Sequence, residues 1–248
     1  MIRFKYNQTS IQSSLLSISV TENSKLPILN PPRTAILTFN FEVQLTETGI
    51  RYLPEQGGQG FVDVIASSNG ARIALPGYLK VNYIRTTNNR DYFIPHEGKW
   101  KDRELSITRK SDGGSYLVKG RILKAARIVV NPKTVRLWYG AVGSEVGPIF
   151  TQIDPENPLP DGEYKLAVPD EAHRDFGEQY LAQTPYAMVW YPIPYDALAR
   201  YLHCGRRSLG CITIRDIEQW TKIYKYLYNR RLSDDVVGTV VIDSEYEG

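Results

Sequence analysis

Apolar and polar positions alternate in twos through much of the first half of the chain. The runs Ala35-Ile-Leu-Thr-Phe-Asn-Phe-Glu-Val43, Phe61-Val-Asp-Val-Ile65 and Tyr78-Leu-Lys-Val-Asn-Tyr-Ile84 are rich in β-branched and aromatic residues. Such residues suit a pleated surface with one buried face. Turn formers separate the runs at Asn30-Pro-Pro32, Gly57-Gly58, Thr87-Asn-Asn89 and Asp112-Gly-Gly114. Residues 1–120 therefore predict a small β-sandwich or barrel, with His96 of Ile94-Pro-His-Glu-Gly98 read as a surface residue in a turn.

The strand pattern continues with Ala126-Arg-Ile-Val-Val130 and Val135-Arg-Leu-Trp-Tyr139, joined as a hairpin through Asn131-Pro-Lys133. Prolines crowd the stretch from Pro148 to Asp161 and predict irregular chain long enough to line a site; Leu159-Pro-Asp-Gly-Glu-Tyr-Lys-Leu166 then reads as turn and strand. The period changes once, between Asp216 and Arg230, where Ile217, Trp220, Ile223, Tyr224, Leu227 and Tyr228 share one helical face behind Asp216 as the cap. Gly238-Thr-Val-Val-Ile242 reads as a closing strand. The fold class expected is mainly β (α+β): an N-terminal β-sandwich-like domain over 1–120, then a β-rich domain with one main C-terminal helix over 121–248.

At 248 residues, 42% hydrophobic and 23% charged, the chain has enough apolar side chains for packed cores. Its 30 basic and 27 acidic residues leave a net charge of +3, too weak a field to hold nucleic acid or an anionic membrane. No run approaches the roughly 18–20 apolar residues that span a bilayer. Met1-Ile-Arg-Phe-Lys-Tyr-Asn-Gln8 has none of the parts of a secretory signal.

Candidate chemistry concentrates in Tyr201-Leu-His-Cys-Gly-Arg-Arg-Ser-Leu-Gly-Cys-Ile-Thr213, which holds one of three histidines and both cysteines. An imidazole that takes a thiol's proton creates a nucleophile at neutral pH, and His203 with Cys211 can form such a pair. Gly210 permits a tight turn that aims the amides of Gly210 and Cys211 at a developing oxyanion, an arrangement suited to acyl transfer. Cys204 directly follows the base and lacks such a turn, so packing or redox sensitivity suffices for it. His203, Cys204 and Cys211 number enough for a catalytic zinc, but their spacing fits no familiar zinc module. No metal or cofactor is expected, and two cysteines so close do not make a disulfide framework.

Ser208-Leu-Gly-Cys-Ile212 resembles the signature of the L,D-transpeptidase (YkuD-type) catalytic domain, in which a histidine precedes a Ser/Thr-His-Gly-Cys turn. Three further segments resemble that family in order: Ile128-Val-Val-Asn-Pro-Lys-Thr-Val-Arg-Leu-Trp-Tyr139 its opening hairpin, Leu159-Pro-Asp-Gly-Glu-Tyr164 its Thr-Pro-x-Gly-x-aromatic element, and Gly238-Thr-Val-Val-Ile242 its closing strand. The likeness spans residues 121–243. Leu209 departs from it where histidine is usual, and Thr213 where arginine or asparagine is common. His203 stands only eight positions before Cys211, a spacing similar to that of a branch used as antibacterial effectors.

The resemblance implies attack on the bond between the L-centre of a diamino acid and D-alanine in peptidoglycan stems. Cys211 would be nucleophile and His203 base and then acid, with Gly210 and Cys211 supplying amide donors and Ser208 bracing the turn. The thioester would pass to an amine, to water or to a free D-amino acid, making a transpeptidase, an L,D-carboxypeptidase or an exchanging effector; a catalytically silent wall-binding protein is the alternative outside enzymes. Arg206, Arg207 and Arg215 can pair with stem carboxylates, and a solvated loop accounts equally well for Arg206 and Arg207. Tyr186, Trp190 and Tyr191 line a groove or pack in the core, and His173 is a candidate second imidazole. The expected partners are peptidoglycan stem peptides and, for an effector, an immunity protein and a secretion apparatus. The expected location is the periplasm or cell envelope, reached by a dedicated route.

Overall fold

The computed structural model describes residues 49–54 and 59–248. The Ala35–Val43 run and the turns at 30–32 and 57–58 lie outside the described residues. Strands β1 (Gly49–Tyr52), β2 (Phe61–Ala66), β3 (Arg72–Pro76), β4 (Lys80–Thr87), β5 (Arg90–Pro95) and β6 (Leu105–Thr108) form a six-stranded antiparallel sheet in the order β1-β4-β5-β6-β2-β3. Asn88 and Asn89, at φ of 50° and 56°, close the β4–β5 hairpin, the left-handed pair that a two-residue turn demands and asparagine tolerates. Along β5, Asp91, Phe93 and Pro95 are buried while Arg90, Tyr92 and Ile94 are half-buried, the period of two read from the sequence. His96 is half-buried in the bend that follows.

The second sheet contains β7 (Ala126–Asn131), β8 (Arg136–Tyr139), β9 (Val146–Ile153), β10 (Gly162–Ala167), β11 (Tyr191–Pro192), β12 (Tyr201–Cys204), β13 (Ile212–Ile214) and β14 (Val236–Ile242). Their order is β10-β14-β7-β8-β9-β13-β12-β11, with parallel pairs at β14–β7 and β12–β13. Two short helices complete the fold, α1 (Arg174–Gly177) and α2 (Trp220–Leu227). The chain is thus mainly β with a minor helical part, as the alternation predicts.

Two local expectations are corrected. Residues 148–153, read as irregular because of Pro148, belong to β9. Leu137 faces Ile149 and Tyr139 faces Val146 across a register shift, so Gly147 and Pro148 together oppose Trp138 in a bulge, where proline's missing N–H costs the ladder nothing. A Cβ at Gly147 would come within 2.5 Å of the Trp138 ring, which fixes the residue type. Asp216 does not cap its helix by side chain; its Oδ2 instead accepts the Phe150 N–H at 2.9 Å. The helical run is correspondingly shorter than 216–230: a 3-10 turn over Ile217–Gln219, then α2.

Both sheets feed one continuous core, in which Leu53, Phe93 and Leu105 of the first half join Ile128, Leu166 and Trp220 of the second. A buried ion cluster reinforces the junction. Glu97, wholly buried, receives Arg121 at 2.5 Å and Arg231 at 3.5 Å. Lys80 pairs with Asp234 at the rim at 2.9 Å. Removing the carboxylate would strip Arg231 of its ion pair and leave Arg121 only Asp234 at 3.7 Å, a loss of the kind that costs about 3–5 kcal/mol.

Candidate active site

The parallel β12–β13 pairing sets the site. His203 lies opposite Thr213, and since alternate residues of a strand share a face, Tyr201 and His203 emerge on the same side as Thr213. Cys211, one residue before β13, begins that same alternation. Cys204 points the other way and is buried in the core. A metal site built on His203, Cys204 and Cys211 is therefore not assembled, and among the described residues no group of three His, Cys, Asp or Glu side chains is placed to hold an ion. Both cysteines are free thiols.

His203 is buried, with Nδ1 2.9 Å from the Cys204 carbonyl oxygen. A carbonyl only accepts, so Nδ1 carries the proton and Nε2 is the basic nitrogen. Nε2 lies 3.2 Å from Thr213 Oγ1, and that hydroxyl is within 2.9 Å of the Arg207 carbonyl. The threonine can thus donate to bare Nε2, or accept from protonated Nε2 while donating to Arg207, and so serves both states of the base. Burial pushes the His203 imidazole down to about 4.

Burial also raises the Cys211 thiol, against the opposing pull of the Tyr201 and Leu209 backbone and the charge of Arg200. Its Sγ donates to the Ala199 carbonyl at 4.0 Å. Cys204 is pushed up to about 12 by burial. The resting state is accordingly a neutral thiol and a neutral imidazole, with no hydrogen bond joining Cys211 to His203 among the described residues. Desolvation, which penalises both charged forms, is the reason the ion pair is not preformed.

The turn that presents Cys211 is held from two sides. Ser208 Oγ donates to the Cys211 carbonyl at 2.6 Å. Gly210, at φ +85°, offers its carbonyl to Arg200 Nη1 at 2.9 Å. Arg200 is itself buried, gripping Asp196 through Nε and Nη2 and donating to the Asn157 carbonyl at 2.7 Å. The proline-rich stretch thus reaches the site through the backbone of Asn157.

An aromatic stack closes the other side. The Trp190 indole lies on the His203 ring at 4.0 Å and 19°, and on the His173 ring at 4.2 Å and 7°. His173 Nε2 meets Asp170 Oδ1 at 3.1 Å, and Tyr201 OH donates to Asp170 Oδ2 at 3.1 Å. Burial works to raise the Asp170 carboxyl, but hydrogen bonds from His173, the Glu171 amide and Tyr201 prevail and hold it below its ordinary value. Burial and the adjacent carboxylate push the Tyr201 phenol up to about 12.

The structure therefore brings Thr213 and Trp190 against His203, and Ser208, Gly210 and Arg200 about the turn that carries Cys211; continued by one residue, the β12–β13 register sets Cys211 beside Tyr201. Arg206 and Arg207 are exposed on the turn. Arg215 is committed to the Gln152 side chain and to the Arg206 carbonyl, an arrangement that braces the loop. Tyr186 lies in the core, stacked on Tyr224 at 3.9 Å, and Tyr191 is buried with its edge toward Trp220 at 6.2 Å. Sequence reasoning passed over Asp170, Arg200, Tyr201 and the role of Thr213.

Among solved structures the chain is similar to a cysteine-to-serine mutant of an L,D-transpeptidase from Enterococcus faecium, at 17% identity over 66% of this chain and 74% of that one, with a TM-score of 0.33. It is also similar to L,D-transpeptidase 1 of Mycobacterium tuberculosis, at 12% identity over 73% and 85% of the two chains and a TM-score of 0.32. L,D-transpeptidase 3 of the same organism aligns at 12% identity over 75% and 100%, with a TM-score of 0.30. No family model matches the sequence, and no curated protein matches it significantly.

Proposed function

We propose that this chain is a cysteine-dependent acyltransferase of the L,D-transpeptidase kind, acting on peptidoglycan stem peptides at the bond between the diamino acid and D-alanine. The observation that carries the reading is the β12–β13 register, which sets His203 and Thr213 side by side directly after a Gly210 turn that presents Cys211. The segments whose sequences resemble that family, β7–β8, β10 and β14, belong to the sheet that holds this pair. The chemistry is thus assigned to residues 121–248, and the six-stranded sheet of β1–β6 shares a hydrophobic core with them.

In this reading the thiol turns from the Ala199 carbonyl toward His203. As sulfur adds to the scissile carbonyl, its proton passes to Nε2, and the new imidazolium donates to Thr213 while Nδ1–H stays on the Cys204 carbonyl. The amides of Gly210 and Cys211 receive the oxyanion. Collapse breaks the C–N bond, and the leaving D-alanine amine takes the proton from Nε2, leaving a thioester on Cys211. An amine or water, deprotonated by the same nitrogen, then releases the acyl group and regenerates the thiol. Exposed Arg206 and Arg207 stand at the mouth of the turn for stem carboxylates.

The eight-residue step from His203 to Cys211 supports the antibacterial-effector branch of this reading, which places the protein in the cell envelope with a secretion apparatus and an immunity protein as partners. The experiment is incubation with tetrapeptide-stem muropeptides followed by mass spectrometry. Loss or exchange of terminal D-alanine, or formation of cross-linked dimers, is expected. An unchanged muropeptide profile would overturn the reading.

A further inference from the structure

His203 has a buried ring whose two nitrogens are held by a carbonyl and a hydroxyl, but hydrogen bonds at two atoms leave the ring free to tilt about the line joining them. The Trp190 indole removes that freedom by lying along one face at 4.0 Å and 19°. Trp190 is only half-buried, and its indole Nε1 donates to the Ala187 carbonyl at 3.2 Å. Something else must hold the indole flat. Its remaining ring contacts are with His173 at 4.2 Å, Tyr201 at 5.5 Å and Phe176 at 5.9 Å. His173 and Tyr201 also meet each other edge to face at 4.9 Å. Both are tied to the same carboxylate, one to each oxygen of Asp170.

We propose that Asp170 is a positioning residue for His203: it clamps His173 and Tyr201, these hold Trp190 against the imidazole, and the stack sets the ring's tilt and keeps water from its face. The proposal deepens the acyltransferase reading and assigns the base a carboxylate that never touches it. Asp170 is suited to the task because two side chains and the Glu171 amide, at 2.8 Å, share its oxygens, so both oxygens are engaged and its position is fixed. The titratable groups about His203 are Tyr201 and Cys204 on β12, Cys211 on the turn, Asp170 and His173 on the segment before α1, and Tyr180, whose ring lies near Gly205 beside His203. Of these only His173 adds a charge effect of its own, and it acts in the same direction as burial.

The test is independent of any substrate. The three histidines are assigned by NMR with single His→Gln variants, and the imidazole titration of His203 is followed in the wild-type protein, Asp170→Ala, Asp170→Asn and Trp190→Ala. Opening the stack admits water to the ring and relieves the desolvation that depresses it, so the midpoint should rise by at least about 1 pH unit in Trp190→Ala and in Asp170→Ala. Asp170→Asn keeps one acceptor of the two and should fall between Asp170→Ala and wild type. A His203 midpoint that stays at the wild-type value in a folded Asp170→Ala protein while moving in Trp190→Ala would overturn the proposal. Should the muropeptides prove inert, the titration still decides it. Should turnover be seen, Asp170→Ala should lower kcat by about 10-fold or more with KM within about 2-fold, since the lost orientation acts on the chemical step; a change in KM alone would also overturn it.

Discussion

Replacing Gly210 by alanine perturbs the site where its backbone is least forgiving. At φ +85° an L-residue is strained by about 1–2 kcal/mol. The new Cβ would fall 2.8 Å from Arg200 Nη1 and 3.4 Å from its Cζ. A guanidinium on a free side chain would swing aside, but Arg200 is pinned by Asp196, Asn157 and the carbonyl of Gly210 itself. Moving it costs at least one charge-assisted hydrogen bond, about 1.5–3 kcal/mol. The sum, about 2.5–5 kcal/mol, corresponds to a fall in melting temperature of roughly 5–20 °C for a chain of this size. Thermal unfolding of Gly210→Ala, Arg200→Ala and the double variant measures it. The clash vanishes when Arg200 is absent, so the double variant should recover at least about 1.5 kcal/mol relative to additivity. A Gly210→Ala protein within about 1 kcal/mol of wild type, or strict additivity with Arg200→Ala, would refute the hold of Arg200 on the Gly210 turn.

Two further outcomes follow from the protonation states. His203 is lowered to about 4 in the folded chain, so its contribution to stability is complete above its ordinary value of about 6.5 and drains away as pH falls from there to about 4, by roughly 3 kcal/mol. Melting temperature against pH should show this acid limb, and His203→Asn should flatten it. At the alkaline end, Cys204, raised to about 12, contributes fully below its ordinary value and loses that contribution as pH rises toward 12, a limb that Cys204→Ala should weaken. Thr213→Val removes the oxygen that receives protonated Nε2; losing a hydrogen bond to a charged group predicts a kcat about 10- to 150-fold lower with KM little changed, and steady-state kinetics on muropeptides checks it.

The sequence made legible those features that depend on neighbours along the chain. Alternation located β2, β4, β7, β8 and β14, and the apolar stripe from Ile217 to Leu227 located α2, because burial on one face imposes the period on the residues themselves. The clustering of His203 and Cys211 was visible for the same reason. Contacts between distant segments were not. Arg200 reaches Asn157 across 43 positions, and nothing near Trp190 announces that it will lie on both His173 and His203. Pro148 was misleading because only the pairing partner, Trp138 in β8, reveals a bulge. Nor does spacing disclose electrostatics: His203 and Cys211 suggest an ion pair, yet the depth at which β12 and β13 lie keeps both groups neutral at rest.

The central claim is that Cys211 carries an acyl group. Intact-mass spectrometry of the protein mixed with a tetrapeptide-stem muropeptide, quenched early in acid and followed by peptide mapping, tests it most directly. A mass increase equal to the muropeptide minus D-alanine, located on the peptide containing Cys211 and lost in Cys211→Ala, is the predicted result. Turnover that survives in Cys211→Ala, or an adduct mapped to another residue, would contradict it.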